Sequence, residues 1–567
     1  MRVMRSRRVH VGHTVAFGAA MLAVVVAPFF LPPYPLALMT LALAYGLFAF
    51  GLDIAWGRAA VVSIGHAAFF GIGAYGSAIA ERAGMPGLLG GLIGIVVAIV
   101  VAVVVGLIGL QRRAAVSTMA ILTLALTLLC EQVARSWQPL TNGSNGLFVT
   151  SGGVIVDFYV TGAIVIVVVA VVWFTVLRGR WGRRFLMVSL NPARASHLGV
   201  SAARTKLFAF SLSAAIAALA GAVAAPAMGL VVPATTGILM STQVLVWLAV
   251  GGRGSVIGAF VGAILITLGE QYLGDVLGSW YLLVLGVVFL LVVRFAPGGI
   301  VGLVSSLLRR PRHVLALQGA HLPAISPRAD TAATAPDRTV ETRGLTRSFG
   351  AAQIVRGIDF RAESGESVCV IGPNGAGKTT FLNVVAGDIS ADGGDVRIAG
   401  HEATSWPAYR RARVGLGKVF QVPSVFAELS PADNIRLARS EAREPAPLPG
   451  DLERFESDSS RAAADLPLAD LRALELALVL AWGPQIVVLD EPAAGLSHAE
   501  SLRLARLLRE VTASTGSTMI VVEHDMEIVR ELADRVVVLA DGQVLTEGTL
   551  DEVARHAEVQ RAYLGRT

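Results

Sequence analysis

The chain has 567 residues, 54% of them hydrophobic and only 16% charged, against about 25% charged in an ordinary soluble domain, so a single water-soluble globule is excluded. Its net charge of +6 comes mostly from arginines beside apolar stretches, which argues for a membrane partner and against nucleic acid. The two cysteines, Cys130 and Cys369, have no spacing that suits a disulfide framework or a metal site.

Arg2, Arg5, Arg7 and Arg8 precede an apolar run from Val15 to Leu31. Pro32-Pro33-Tyr34-Pro35 and a second apolar run follow, so the start reads as a first membrane helix and not as a cleaved leader. A bilayer core takes about 20 apolar residues per helix. Ten spans are predicted: 14–31, 36–52, 60–80, 88–110, 114–134, 154–177, 207–228, 238–250, 256–272 and 279–295. With the first end inside, the inner loops hold Arg58, Arg112, Arg113, the stretch 178–206, Arg253 and Arg294. The outer loops hold Glu81 with Arg82, Glu131 with Arg135, and Glu270 with Asp275. That asymmetry follows the positive-inside rule and returns the chain to the cytoplasmic side after the tenth span.

Within the third span His66 is polar at membrane depth, which points to function and equally to hydrogen bonding between packed helices. Gly65, Gly71 and Gly73 read as close-packing positions. Thr141 to Leu147, on the expected outer side, reads as an entrance or partner-contact segment, or as a plain turn. The stretch 178–206 carries seven basic residues and no acid; it is too long for a simple connection, and attraction to lipid headgroups is the plain alternative.

Residues 1–308 are thus expected to form a polytopic helical membrane domain, 309–338 a flexible Pro/Ala/Thr-rich linker, and 339–567 an α/β domain. In the last, short β-branched runs at Ser367–Ile371, Ile486–Leu489, Thr518–Val522 and Arg535–Leu539 alternate with helical stretches, the pattern of a mostly parallel sheet covered by helices.

The first of these strands runs into Gly372-Pro373-Asn374-Gly375-Ala376-Gly377-Lys378-Thr379-Thr380, a full match to the phosphate-binding P-loop in its required strand–loop–helix setting. Its glycines let backbone N–H groups converge on phosphate, Lys378 reaches the β- and γ-phosphates, and Thr379 ligates Mg²⁺. ATP and Mg²⁺ are therefore expected. Asp490 and Glu491 end the strand at 486, where Asp490 holds Mg²⁺ through water and Glu491 polarises the attacking water. Gln421 is placed to sense both Mg²⁺ and that water, His524 to contact the γ-phosphate, and Phe349 to stack on adenine. Taken singly, each has a plain structural reading; their order along the chain argues for the site.

Residues 340–567 resemble the ATPase domain of ABC transporters. Asp490-Glu491-Pro492-Ala493-Ala494-Gly495-Leu496, Val522-Glu523-His524-Asp525-Met526 and Ala562-Tyr563-Leu564-Gly565 resemble its branched-chain amino acid and urea importer branch. Ser63 to Tyr75, Thr141 to Leu147 and Gly251-Gly252-Arg253-Gly254-Ser255 resemble the permease of the same branch, over about 35–305. One motif departs. Where the family has Leu-Ser-x-Gly-Gln, this chain has Leu466-Pro467-Leu468-Ala469-Asp470, followed by the family-like Arg472, Glu475 and Leu476. In the family each such signature caps the nucleotide held by the opposite ATPase. Pro467 has neither hydroxyl nor N–H, and Ala469 adds a Cβ where backbone approaches phosphate.

The resemblance implies a type I importer subunit, permease and ATPase fused, in the plasma (inner) membrane with a cytoplasmic ATPase. It implies a second permease, an extracytoplasmic substrate-binding protein and, because of 466–470, a second ATPase with an intact signature. Asn191, Arg194 and His197 then lie on a short coupling segment that docks on the ATPase. The implied cargo is a branched-chain or related amino acid. Arg253 and the stretch Phe420 to Phe426 resemble the urea-type branch and keep urea or amides as the alternative. A regulatory ATPase without transport is the alternative of another class.

Overall fold

The computed structural model describes residues 21–110, 116–278, 280–296, 298–308, 337–442 and 445–564. They form two compact units. The first takes the residues up to Ser189 and from Ala203 to Leu308; the second takes Leu190–Ala202 and everything from Asp337 onward. Most of the expected linker, 309–336, lies outside the described residues, as does the start of the first expected span.

The helical unit is built from long apolar helices because successive Val, Leu, Ala and Ile leave no polar face to solvate. Among the described residues six helices are long and apolar enough to cross a membrane: Pro33–Arg58, Gly87–Gly109, Ser117–Ser136, Val154–Leu177, Ala202–Met228 and Val256–Gly274. Met21–Phe30, Ile238–Gly251 and Trp280–Phe295 are shorter apolar helices, so among the described residues all ten expected segments are helical in part and six reach the length of a span.

The third expected span needs correcting. Helix begins only at Ala67 and runs to Arg82. Residues 60–64 are not helical, and three hydroxyls hold the stretch. Thr123 Oγ1 accepts from Ile64 N at 3.1 Å, Ser241 Oγ accepts from Ala67 N at 3.1 Å, and Thr127 Oγ1 donates to Gly65 O at 2.7 Å. Non-helical backbone in an apolar surround persists only when its polar groups are satisfied in this way. A Cβ at Gly65 would fall 1.7 Å from Thr123 O, so only glycine allows that approach. His66 is fully buried. Its ring stacks on Phe48 with centroids 5.5 Å apart, and Ser213 Oγ lies 3.2 Å from its Nε2. Thr141 to Leu147 forms a short helical turn ending in β1 (Leu147–Phe148), paired antiparallel with β2 (Leu230–Val231).

The second unit has two sheets. Strands β3 (Val340–Phe349), β4 (Ala352–Ala362), β6 (Gly393–Ile398) and β7 (His401–Glu402) form an antiparallel sheet in the order β4-β3-β6-β7. Strands β5 (Ser367–Ile371), β8 (Leu416–Val419), β9 (Ile486–Asp490), β10 (Thr518–Val522), β11 (Arg535–Ala540) and β12 (Gln543–Gly548) form the core sheet, ordered β12-β11-β5-β10-β9-β8. It is parallel except for β12. Every residue of β5, β9 and β10 is buried, as a sheet covered on both faces requires. The parallel strands β5, β9 and β10 therefore deliver their C-terminal ends side by side, the place where open α/β sheets bind ligands. The antiparallel sheet had no expected counterpart; its strands are amphipathic and charged, without the continuous apolar runs that mark the core strands.

Candidate nucleotide site

At the end of β5 the chain turns through Gly372, Gly375 and Gly377, all with positive φ, into the helix Lys378–Ala386. At Gly372 a Cβ would stand 2.1 Å from Leu539 O, so the close pass over β11 requires glycine. Gly377 caps the helix, and the cap gives its first N–H groups no side-chain bond. A helix start left open in this way fits an anionic phosphate. Lys378 Nζ bends back to donate to Gly372 O at 2.8 Å and Pro373 O at 3.0 Å, so the ammonium already lies at the loop. Burial lowers its pKa, opposed by the negative charge of Glu491 and Asp490.

Asp490 closes β9, and its Oδ1 accepts from Thr379 Oγ1 at 3.2 Å. Burial raises its pKa, with Glu491 adding to the effect and Lys418 and Thr379 opposing it. A hydroxyl paired with a carboxylate is the hard-oxygen set that suits Mg²⁺. Glu491 follows with φ at +48°, a conformation costly for a residue with a Cβ, and its N–H bonds to Val522 O at 2.9 Å. Gln421, just beyond β8, donates from Nε2 to Glu491 Oε2 at 3.0 Å. His524 stands just past β10 with a largely exposed side chain, its Nδ1 3.8 Å from Glu523 Oε2. Glu523, a residue without an expected role, is buried. It accepts from Ala493 N and His524 N, both at 3.1 Å, and so ties the loops after β9 and β10 together.

Phosphate-loop lysine, hydroxyl, two carboxylates and glutamine are thus brought together. Phe349, the stretch Leu466–Asp470 and the segment with Asn191, Arg194 and His197 make contacts of their own. Phe349 ends β3, 47% exposed, with the Arg347 guanidinium 5.0 Å above its ring. Pro467 caps the helix Leu468–Trp482 without any side-chain cap bond, and Asp470 in its first turn accepts from Arg454 Nη2 at 2.5 Å.

Asn191, Arg194 and His197 lie on Leu190–Ala202, which belongs to this unit. Asn191 caps the helix Pro192–His197 by accepting from Arg194 N at 2.9 Å, and its Nδ2 donates to Ser424 Oγ at 3.0 Å. Arg194 is fully buried. It pairs with Glu475, donates to Ser424 O at 2.5 Å and Lys418 O at 2.9 Å, and lies 4.7 Å over the Phe420 ring. His197 Nε2 meets Asp388 Oδ1 at 2.8 Å, and Lys418 Nζ meets Asp388 Oδ2 at 2.7 Å. Burial works against the Asp388 charge, but His197 and Lys418 hold its carboxyl well below the usual range. Burial lowers His197 below its ordinary value despite Asp388.

A phosphate loop at the end of the central parallel strand β5, with Asp490 closing β9 one strand away across β10 and Glu491 just past it, defines an ATPase of the P-loop class. The comparisons narrow it. Residues 355–494 match the ABC transporter family, and residues 34–293 match the family described as branched-chain amino acid transport system, permease component. An uncharacterized ABC transporter ATP-binding protein of Rhizobium meliloti is 34% identical over 236 residues, which is 40% of this chain and 87% of that protein. The high-affinity branched-chain amino acid transport ATP-binding protein BraF of Pseudomonas aeruginosa is 32% identical over 248 residues, 40% of this chain and 97% of BraF. LivG of Escherichia coli, with the same description, is 31% identical over 248 residues, again 40% and 97%. A solved nucleotide-free ATP-binding cassette from an ABC transporter is 23% identical, spans 41% of this chain and all of its own, and has a TM-score of 0.36.

The chain therefore belongs to the ABC transporters, as an importer of the branched-chain amino acid family with permease and ATPase fused. It binds ATP and couples its hydrolysis to transport.

Proposed function

We propose that the chain carries branched-chain or related amino acids inward as one half of a binding-protein-dependent importer in the inner membrane. The observation that carries this reading is the union, in one chain, of a branched-chain permease match over 34–293 with a complete phosphate loop at Gly372–Thr380. Residues 1–308, 309–338 and 339–567 serve as permease, linker and ATPase.

Thr379 and Asp490 would hold Mg²⁺, with Gln421 at its edge. Bound there, the ion offsets charge on the transferred phosphoryl group. Glu491 takes a proton from the attacking water and Gln421 orients it, a division of labour supported by their 3.0 Å contact. His524 reaches the terminal phosphate, and Phe349 stacks on adenine with its open face. The opposing signature comes from a second ATPase, because Pro467 and Ala469 leave this chain's own signature without its donors. A second permease and an extracytoplasmic binding protein complete the assembly. Asn191, Arg194 and His197 couple transport to hydrolysis through the bonds that Leu190–Ala202 makes within the ATPase unit.

The test is uptake by proteoliposomes holding the complex purified through a tag on this chain. Labelled leucine should accumulate with ATP inside and binding protein outside, and urea should not. Urea uptake without leucine uptake would move the cargo to the alternative branch. Hydrolysis with uptake of neither would favour a regulatory ATPase.

A further inference from the structure

The helix Leu468–Trp482 carries two charged, largely buried residues one turn apart, Arg472 and Glu475. Both hold the same short stretch of backbone. Glu475 Oε1 accepts from Phe420 N at 3.1 Å. Arg472 donates to Phe420 O at 3.3 Å and to Gln421 O at 2.7 Å, and its Nη2 also reaches Ala494 O at 3.0 Å. Phe420 is thus held at both its N–H and its C=O, and Gln421 at its C=O. The Gln421 side chain leaves this clamped stretch to reach Glu491. The oxygen of Glu475 that receives Phe420 N also receives Arg194, whose remaining donors go to backbone carbonyls of Lys418 and Ser424 on either side. Glu475 and Arg194 are both completely buried, and each is the other's counter-charge. Within the ATPase unit, one oxygen atom therefore joins Leu190–Ala202 to the strand exit that carries Gln421.

We propose that Arg194 and Glu475 are positioning residues for hydrolysis, setting where Gln421 stands against Glu491 by fixing the Phe420 peptide. Neither touches nucleotide; both act through Gln421. The proposal rests on the reading that Gln421 and Glu491 handle the attacking water. It adds that the bond between Leu190–Ala202 and the signature helix governs the turnover number and leaves nucleotide affinity alone. A buried pair could instead serve stability only, and an apolar replacement of both partners separates the two roles, because such replacements usually keep or raise stability.

The experiment measures ATP hydrolysis and binding of a fluorescent ATP analogue by the purified membrane complex. Its variants are Arg194→Gln, Glu475→Gln, the double variant Arg194→Met with Glu475→Leu, and Glu491→Gln as reference. A displacement of about 1 Å in a catalytic group costs about 100-fold. Each single variant should therefore lower kcat between about 10- and 100-fold while KM and analogue affinity stay within about twofold. The double variant should fold and bind nucleotide yet keep the low kcat, since Phe420 N has lost its acceptor. Return of wild-type kcat in the double variant would reduce the pair to a stability role and overturn the proposal, and it decides the question even if a single variant fails to fold. Unchanged kcat in both single variants overturns it as well. If Glu491→Gln still hydrolyses ATP at the normal rate, the reading of the catalytic pair fails first and the proposal falls with it.

Discussion

Glu491 holds a conformation that glycine would take more easily, with φ at +48°. Such strain at a carboxylate beside Lys378 and Gln421 persists because the N–H of Glu491 is anchored on β10. Glu491→Gln keeps size and backbone and removes the proposed base, so kcat should fall by about 10²–10⁴-fold with nucleotide affinity nearly unchanged. Single-turnover hydrolysis with a binding titration reads both quantities. His197 sets a different dependence. Burial lowers its pKa below the ordinary 6.5 although Asp388 opposes this, and Arg194 and Lys418 add to the lowering. The folded ring therefore stays neutral where the unfolded ring takes up a proton. Its contribution is fully present above pH 6.5 and shrinks as pH falls below it. Asp388 has a lowered folded pKa, so its contribution is lost only further down, as pH drops through the ordinary Asp range. The melting temperature of the wild type should thus fall between pH 6.5 and pH 5 by more than that of His197→Gln. Equal slopes in the two proteins would show that His197 takes no part.

At the scale of elements, the nucleotide loop was legible because its chemistry needs fixed residue types in one contiguous string, and β5, β9, β10 and β11 were legible as unbroken apolar runs. The pairing of Arg194 with Glu475 was not, because they meet across 281 positions and no local pattern links one to the other. The break before Ala67 escaped for a related reason: Ser63 to His66 stands between apolar runs on both sides, and the hydroxyls that satisfy its backbone come from helices far along the chain. Thr127→Val removes the donor to Gly65 O, a fully buried bond. Leaving such an acceptor unmet costs about 1–3 kcal/mol, so the variant should melt earlier in detergent with ATPase catalysis intact. The helix Leu468–Trp482 offers the opposite change. Pro467 caps it without a hydroxyl, in an extended conformation that serine adopts freely. Pro467→Ser should supply a cap worth about 0.5–2 kcal/mol, visible as slower hydrogen exchange in the first turn.

At the scale of the molecule, the phosphate loop and the altered signature belong to one chain but, in a head-to-tail pair of ATPases, to different nucleotides. In the proposed assembly Gly372–Thr380 would face the partner's signature, whereas Leu466–Asp470 would face the partner's phosphate loop. The two nucleotide sites of that assembly would then be unequal. In the proposed assembly the site built on this chain would have Lys378, Thr379, Asp490 and Glu491 together with a full set of opposing donors. The other meets Pro467, which has no N–H, and Ala469, and it carries Asp470, an acid paired to Arg454, in the first turn of the helix. Loss of one preorganised donor to a developing oxyanion costs about 10²–10³ in rate, so in the proposed assembly nearly all turnover would belong to the first site. Glu491→Gln should therefore abolish uptake, while the matching change in the partner ATPase should leave most of it. Trapping with vanadate and a photoreactive ATP analogue should label this chain in preference to its partner. Restoring Pro467→Ser together with Ala469→Gly should bring the label toward equality and raise hydrolysis above wild type. Equal labelling of both ATPases before that restoration would mean that Leu466–Asp470 still works as a signature, and the pairing with an unlike subunit would lose its physical reason.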